Sequence, residues 1–168
     1  CGWAAFHPVG TMHLKHATCI ALAGKGLLLR GFSGAGKSDL ALRLIDGGAE
    51  LVADDQVLCQ SIDGAVFASP PPVISGLIEV RGLGLMRMAH LPRAEIVLAV
   101  DLVAPERITR LPVAAVCEIE GVKVPLIELT PFEASAPAKL RLACAALARG
   151  KVLGEDLIPF QVATEMRE

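Results

Sequence analysis

The sequence predicts a single α/β domain with a mixed sheet over residues 1–168. Two observations lead to this fold class. Near the N-terminus a strand, a glycine-rich loop and an amphipathic helix follow one another, and several hairpins come after this unit. The repeated strand–helix–strand units of a doubly wound fold are missing from the pattern, so we expect parallel and antiparallel pairs in one sheet. With 168 residues, of which 53% are hydrophobic, the chain is long enough to bury a core.

The first elements are two short strands and a helix. The runs TCIAL and GKGLLLRG predict strands joined by a Gly-Lys-Gly turn at residues 24–26. After the glycine-rich loop, apolar residues recur at helical spacing and a glycine pair ends the helix. These residues are Leu40, Ala41, Leu44, Ile45, Gly47 and Gly48.

The rest of the chain predicts further strands, two hairpins and one helix. AELVA and AEIVLAVDLV are strands, and QVLCQSIDGAVFASP is a hairpin that turns at Asp63-Gly64. VCEIEGVKVPLIEL predicts a second hairpin around Glu120-Gly121. A helix is expected from Pro137 to Arg149, with Ser135 as its cap and a glycine at its end. The tail from Glu155 gives only a weak helical pattern.

Charge and hydropathy exclude two classes of partner. The net charge is −2, with 16 basic and 18 acidic residues, no Tyr and one Trp, so a nucleic-acid partner is not expected. No apolar run approaches the length that spans a bilayer, so no membrane partner is expected either. The first residues show no signal peptide, and without an initiator Met the chain is compatible with a fragment.

The five cysteines predict a reducing environment. Their number is odd and no C-x-x-C pair occurs, which argues against both disulfides and a zinc site. We therefore expect them to pack as small hydrophobic residues in a cytoplasmic protein. They are Cys1, Cys19, Cys59, Cys117 and Cys144.

The glycine-rich loop is a phosphate-binding P-loop by its spacing, G-x-x-x-x-G-K-[ST], and by its position between a strand and a helix. Its backbone N–H groups and the helix N-terminus attract phosphate oxygens. Lys37 is expected to reach the β- and γ-phosphates of a nucleotide, and the Ser38 hydroxyl to bind Mg²⁺. The candidate nucleotide-binding residues are Gly31, Phe32, Ser33, Gly34, Ala35, Gly36, Lys37 and Ser38.

Two aspartates end the strand LVADD. Successive side chains of a regular strand point to opposite faces, so Asp54 and Asp55 are expected to do different work. One carboxylate would approach Mg²⁺ or a helper group such as His16, and the other would face a phosphate acceptor as its proton acceptor. A solvated turn for the aspartates and a surface or packed role for His16 stay open as alternatives.

A further motif gives a family resemblance. The stretch ISGLIEVRGLGL, residues 74–85, combines with KHATCIAL, GFSGAGKSDLALRLI and LVADD. In this order the four motifs resemble the catalytic domain of the HPr kinase/phosphorylase family, and the similarity covers roughly residues 10 to 145. The P-loop alone is generic, whereas its combination with the E-V-R-G-L-G signature is specific.

The resemblance implies a role for each matched residue. It makes His16 the family's essential histidine, Asp55 the base for phosphorylation and the acid in the reverse reaction, and Asp54 the neighbouring acid. Glu79 becomes a metal-site residue beside Ser38, and Arg81 the signature arginine, so that the catalytic set is His16, Lys37, Asp54, Asp55 and Arg81. The implied fold is a P-loop kinase domain similar to phosphoenolpyruvate carboxykinase. The implied reaction transfers phosphate from ATP, with Mg²⁺, to a serine of HPr, a phosphocarrier protein of the sugar phosphotransferase system, and the implied assembly is a hexamer.

Two departures from the family pattern matter. The N-terminal domain of typical members does not precede the P-loop, so the chain resembles a shortened form. The run KVPLIELTPFEASAPAKLRLA also lacks the family's G-R-N loop with its catalytic arginine, and Lys139 and Arg141 are expected to lie on a solvated helix face. Phosphorolysis therefore stays open. Two alternatives remain: a small-molecule P-loop kinase, and a nucleotide-binding regulatory module with weak or lost catalysis.

Overall fold

The computed structural model describes residues 10–155. The strands are β1 (His13–His16), β2 (Thr18–Leu22), β3 (Lys25–Arg30), β4 (Glu50–Ala53), β5 (Gln56–Ile62), β6 (Ala65–Ser69), β7 (Leu77–Val80), β8 (Gly84–Arg87), β9 (Ala94–Leu102), β10 (Val116–Ile119) and β11 (Val122–Leu129). The helices are α1 (Lys37–Asp46) and α2 (Ala136–Ala148), and short 3-10 turns cover Pro72–Ile74 and Pro105–Arg107.

Nine of these strands form one mixed sheet. Its main order is β1-β5-β6-β9-β3-β2-β4, and β11 pairs with both β9 and β10. Strand β9 is parallel to β3 and β11, whereas β6 runs antiparallel to it. Strands β7 and β8 form a separate antiparallel hairpin. The predicted α/β class with a mixed sheet is confirmed.

Two hydrophobic clusters contain alternate residues of β3. Leu27 and Leu29 belong to the cluster that includes Leu44 of α1 and Leu140 of α2. Leu28 belongs to a second cluster with residues such as Val52. Because successive strand side chains point to opposite faces, the apolar middle of β3 contributes to both clusters. The helices thus hold the strand that leads into the P-loop from one side.

The hairpin predictions differ in accuracy. The turns at Asp63-Gly64 and Glu120-Gly121 are confirmed, with positive φ at all four residues. The first turn was expected at residues 24–26 but lies at Ala23-Gly24, where φ is 49° and 78°. Gly26 lies inside β3 and not in the turn. Glycine is needed there because a Cβ would come 2.8 Å from the Glu95 carbonyl oxygen of the neighbouring strand β9.

Helix α2 begins one residue earlier and ends one residue earlier than expected. Ser135 occupies the cap position, but its side chain makes no capping hydrogen bond because its backbone is already helical. Its carbonyl oxygen instead accepts the Lys139 N–H at 2.9 Å. The predicted tail element lies outside the described residues, as does Cys1.

The four cysteines within residues 10–155 are free thiols, as expected. Cys19 and Cys59 are fully buried, and burial raises the pKa of Cys59 and of Cys144 to about 11. None of the helices in this described range is long and apolar enough to cross a membrane.

Candidate functional site

The P-loop connects β3 to the first turn of α1. An ion pair between Arg30 and Asp101, with Arg30 Nε donating to Asp101 at 2.7 Å, joins the ends of β3 and β9 just before the loop. Gly36 stands at the N-cap of α1 with a φ of 100°. A Cβ at Gly36 would lie 2.9 Å from the ring of Phe132, so the site requires glycine for both its conformation and its space.

Lys37 is the most buried cation of the described site, with 7% of the residue exposed. Its Nζ donates to the carbonyl oxygens of Gly31 at 2.7 Å and of Phe32 at 2.9 Å. Burial lowers the pKa of the Lys37 ammonium, and the charges of Asp55 and Asp54 oppose this effect. The lysine is thus held against the start of the loop.

Asp54 is the buried member of the aspartate pair, with 6% of the residue exposed. Its Oδ1 accepts hydrogen bonds from Ser38 Oγ at 2.7 Å and from Thr18 Oγ1 at 3.0 Å. Its Oδ2 accepts the backbone N–H of Glu79 at 3.2 Å. One carboxylate therefore joins the P-loop helix, the strand β2 and the hairpin β7–β8.

Asp55 has the opposite environment. It lies just beyond β4 with a φ of 67°, and 65% of its side chain is exposed. Its Oδ1 lies 3.6 Å from Nδ1 of His16, at the end of β1. The two side chains do point in different directions, as predicted. The cause is the left-handed backbone of Asp55 and not strand alternation, since β4 ends at Ala53. We expected the carboxylate on the Mg²⁺ side, Asp54, to be the one that positions His16; this expectation is wrong, because His16 lies beside Asp55.

The E-V-R-G-L-G signature forms the β7–β8 hairpin. Glu79 is in β7 with its side chain exposed, and Arg81 begins the turn. Gly82 and Gly84 have φ values of 91° and 99°, which a residue with a Cβ adopts only at a cost. The hairpin presents both charged side chains to the P-loop.

Most of the predicted site residues meet in one cavity of about 350 Å³. The predicted residues that line it are His16, Ser33, Gly34, Gly36, Lys37, Ser38, Asp55, Glu79 and Arg81. The predicted residues that do not line it are Gly31, Phe32, Ala35 and Asp54. The first three shape the loop, and Asp54 lies beneath Ser38.

Thr18 and four residues that line the cavity are absent from the predicted set; the four are Asp39, Leu42, Val80 and Phe132. Thr18 is fully buried and contacts Asp54. Phe132 lines the cavity and is 67% exposed, in the segment between β11 and α2, the region where the sequence lacks the family's G-R-N loop. The Arg43 guanidinium fixes this segment by donating to the carbonyl oxygens of Pro131 and Glu133. Thr18 could have been singled out from the sequence, because it is a polar residue within an apolar run. Phe132 has no such signal.

The predicted solvated face of α2 is partly wrong. Lys139 is exposed and pairs with Glu133 at 2.5 Å, as a surface residue would. Arg141 is half-buried, because its guanidinium packs against Gly47 at the end of α1. Neither residue lines the cavity.

The residues around Ser38 fit Mg²⁺ in the presence of phosphate. Within residues 10–155 no group of three or more His, Cys, Asp or Glu side chains is arranged to hold a metal by itself. Mg²⁺, however, is held in such sites by one or two protein oxygens together with substrate phosphates. The contact between Ser38 Oγ and Asp54 Oδ1 beside the P-loop supplies hard oxygen ligands of this kind.

Comparisons with known proteins identify one family. Residues 9–140 match the model of the HPr Serine kinase C-terminal domain. The HPr kinase/phosphorylase of Mycoplasmopsis pulmonis is 34% identical over 155 residues, covering 85% of this chain and 50% of that protein. The HPr kinase/phosphorylase of Clostridium tetani is 46% identical over 76 residues, which are 45% of this chain and 25% of that protein.

A solved structure shares the fold. The Hpr(Ser) kinase/phosphatase from Coxiella burnetii superimposes with a TM-score of 0.68 at 28% identity, covering 82% of this chain and 95% of that one. The alignments span a quarter to a half of the length of the two curated relatives. The predicted P-loop kinase fold is confirmed, and the chain belongs to the HPr serine kinase family through its C-terminal domain.

Proposed function

We propose that this chain transfers the γ-phosphoryl group of ATP to a seryl side chain of the phosphocarrier protein HPr. One observation carries the proposal: an exposed carboxylate, Asp55, lies beside His16 in the same cavity as the P-loop lysine. Family membership supports HPr as the acceptor, because the matched relatives have the name HPr kinase/phosphorylase.

The P-loop binds the triphosphate in this proposal. Its N–H groups and the N-terminus of α1 stabilise negative charge on the phosphate oxygens. Lys37 exchanges its carbonyl partners for the β- and γ-phosphates. Ser38 and Glu79 would hold Mg²⁺, and Asp54 would add a carboxylate that is in contact with Ser38. When bound, the metal neutralises charge on the transferring phosphoryl group.

Asp55 is the proposed general base. A serine hydroxyl is a poor nucleophile, so a carboxylate that accepts its proton speeds the attack on phosphorus. The exposed side chain of Asp55 is accessible to a serine on another protein, whereas the buried Asp54 is not. His16 orients the Asp55 carboxylate, and Arg81 supplies positive charge at the cavity edge.

The proposal extends to location and assembly. Free thiols at the four described cysteines support a reducing cytoplasmic environment, and HPr is the expected partner rather than nucleic acid or a membrane. A hexamer follows from the family resemblance. In the reverse direction Asp55 would return a proton to the serine, and phosphorolysis is proposed as a second activity to be tested with inorganic phosphate.

The proposal is tested by incubating the chain with Mg²⁺, radiolabelled ATP and purified HPr. Label is expected on HPr, and not on HPr whose acceptor serine is replaced by alanine. Lys37→Ala should abolish the transfer because it removes the charge that holds the β- and γ-phosphates. Nucleotide binding without transfer would identify a regulatory module. Transfer to a small molecule but not to HPr would identify a small-molecule kinase.

A further inference from the structure

One hydroxyl contacts both aspartates. Thr18 begins β2 and is fully buried. Its O–H donates to Asp54 Oδ1 at 3.0 Å, and its oxygen accepts the backbone N–H of Asp55 at 3.3 Å. The two hydrogen bonds therefore act on different parts of the pair, the side chain of Asp54 and the main chain of Asp55.

The main chain around Asp55 is held on both sides by the start of β2. The Asp55 carbonyl oxygen accepts the Ala17 N–H at 3.2 Å, while its own N–H donates to Thr18. The next residue, Gln56, donates its N–H to the Asp54 carbonyl oxygen at 2.8 Å, which closes a tight turn around Asp55. This turn keeps Asp55 at a φ of 67°, a conformation that L residues adopt at a cost.

The same hydroxyl helps to hold Asp54 beneath the P-loop. Asp54 Oδ1 accepts from both Thr18 and Ser38, and its Oδ2 accepts from the main chain of Glu79. The three donors come from β2, α1 and β7, and together they fix the orientation of the Asp54 carboxylate. Loss of one donor would leave part of a buried carboxylate without a partner.

We infer that the Thr18 hydroxyl sets the different positions of the two aspartates, with Asp54 directed inward to Ser38 and Asp55 turned outward to His16. Thr18 is fully buried and does not line the cavity, so it is a positioning residue. The expected effect of Thr18 on the rate of phosphate transfer rests on the proposed function. Its effect on the turn around Asp55 does not.

The experiment compares Thr18→Val with Thr18→Ser. Valine keeps the branched shape but loses the hydroxyl, and serine keeps the hydroxyl. We expect Thr18→Val to lower kcat for transfer from ATP to HPr by on the order of 10- to 100-fold, the rate equivalent of a hydrogen bond to a charged group. The KM for ATP should change less than about 2-fold, because Thr18 makes no direct contact with Lys37, which keeps its own hydrogen bonds to the P-loop. Thr18→Ser should restore most of the rate.

A second measurement is independent of catalysis. Amide hydrogen exchange followed by NMR should find the Asp55 N–H protected in the wild type and in Thr18→Ser, and faster to exchange in Thr18→Val. If the wild type transfers no phosphate to HPr, the proposed function is wrong and the exchange result alone decides the inference. An unprotected Asp55 N–H in the wild type overturns the inference without any variant. So does a Thr18→Val enzyme with wild-type kcat, or a Thr18→Ser enzyme as slow as Thr18→Val.

Discussion

At the scale of the residue, neighbours in the chain have unlike environments. Only 6% of Asp54 is exposed, whereas 65% of the Asp55 side chain is. Burial under Ser38 suits Asp54 to act on a metal ion, and exposure beside His16 suits Asp55 to act on an incoming hydroxyl. A single turn therefore makes two identical side chains unequal.

Glu79→Gln is expected to raise the Mg²⁺ concentration needed for half-maximal activity by about 10-fold, because an amide oxygen is a weaker ligand than a carboxylate. The fold should be unaffected, since Glu79 contacts Asp54 through its backbone N–H. Mg²⁺ titrations of activity measure the effect. Glu50→Gln, the same change at an exposed position on β4, is the control. Superimposable curves for Glu79→Gln and the wild type would make Glu79 an ordinary surface carboxylate.

The sequence predicts the local part of the site better than its distant contacts. Lys37 and Ser38 follow from fixed spacing within one loop, so their neighbourhood is known before the fold is. Thr18 meets Asp54 across 36 residues, and that contact exists only after β2 pairs with β4. His16 lies beside Asp55 for a similar reason, because β1 pairs with β5.

At the scale of the element, the P-loop depends on the segment that follows β11. The Phe132 ring lies over Gly36, and Arg43 ties this segment to α1. Typical members of the family have an arginine loop in this region, whereas in this chain the aromatic Phe132 occupies the cavity wall there. The wall therefore presents apolar surface to the cavity at this point.

Gly36→Ala is expected to weaken ATP binding by about 10-fold or more, because a Cβ at a φ of 100° costs roughly 1–2 kcal/mol before any clash with Phe132. Isothermal titration calorimetry gives the affinity. Adding Phe132→Ala should recover part of the loss by removing the clash. Gly34→Ala, with a φ of 85° and no atom near its Cβ, reports backbone strain alone. Wild-type affinity in Gly36→Ala would show that this contact does not shape the loop.

Elements were predictable where local chemistry decides them. The Asp-Gly and Glu-Gly turns follow from residues that tolerate positive φ. The first turn was misplaced because Gly26 is required by the close approach of β9, a strand about 70 residues later. The Ser135 side chain caps nothing because its backbone is helical, with φ −80° and ψ −5°.

At the scale of the whole molecule, β9 joins the parts of the sheet. It pairs with β3, β6 and β11, and it lies beside the strand that carries the P-loop. The order of these strands could not be predicted, because the residue pattern that identifies a strand does not identify its neighbours in the sheet. The mixed class was predictable from the hairpins, whereas the central place of β9 was not.

Leu98→Ala is expected to lower the free energy of unfolding by about 2–5 kcal/mol, since Leu98 is fully buried in the cluster that contacts α1 and α2. Urea denaturation monitored by circular dichroism measures it. Leu142→Ala on α2, where Leu142 is 67% exposed, should cost less than about 0.5 kcal/mol. Equal losses for the two variants would contradict this account of the core.

The assignment of Asp55 as the general base is tested most directly by single-turnover transfer of phosphate from ATP to HPr in Asp55→Asn and Asp54→Asn. Asp55→Asn keeps its shape but cannot accept a proton, so it should bind ATP normally and transfer phosphate on the order of 10²–10⁴-fold more slowly. The defect of Asp54→Asn should shrink as Mg²⁺ is raised, because Asp54 acts through Ser38 and the metal. Near wild-type transfer by Asp55→Asn would contradict the assignment of Asp55 as the base.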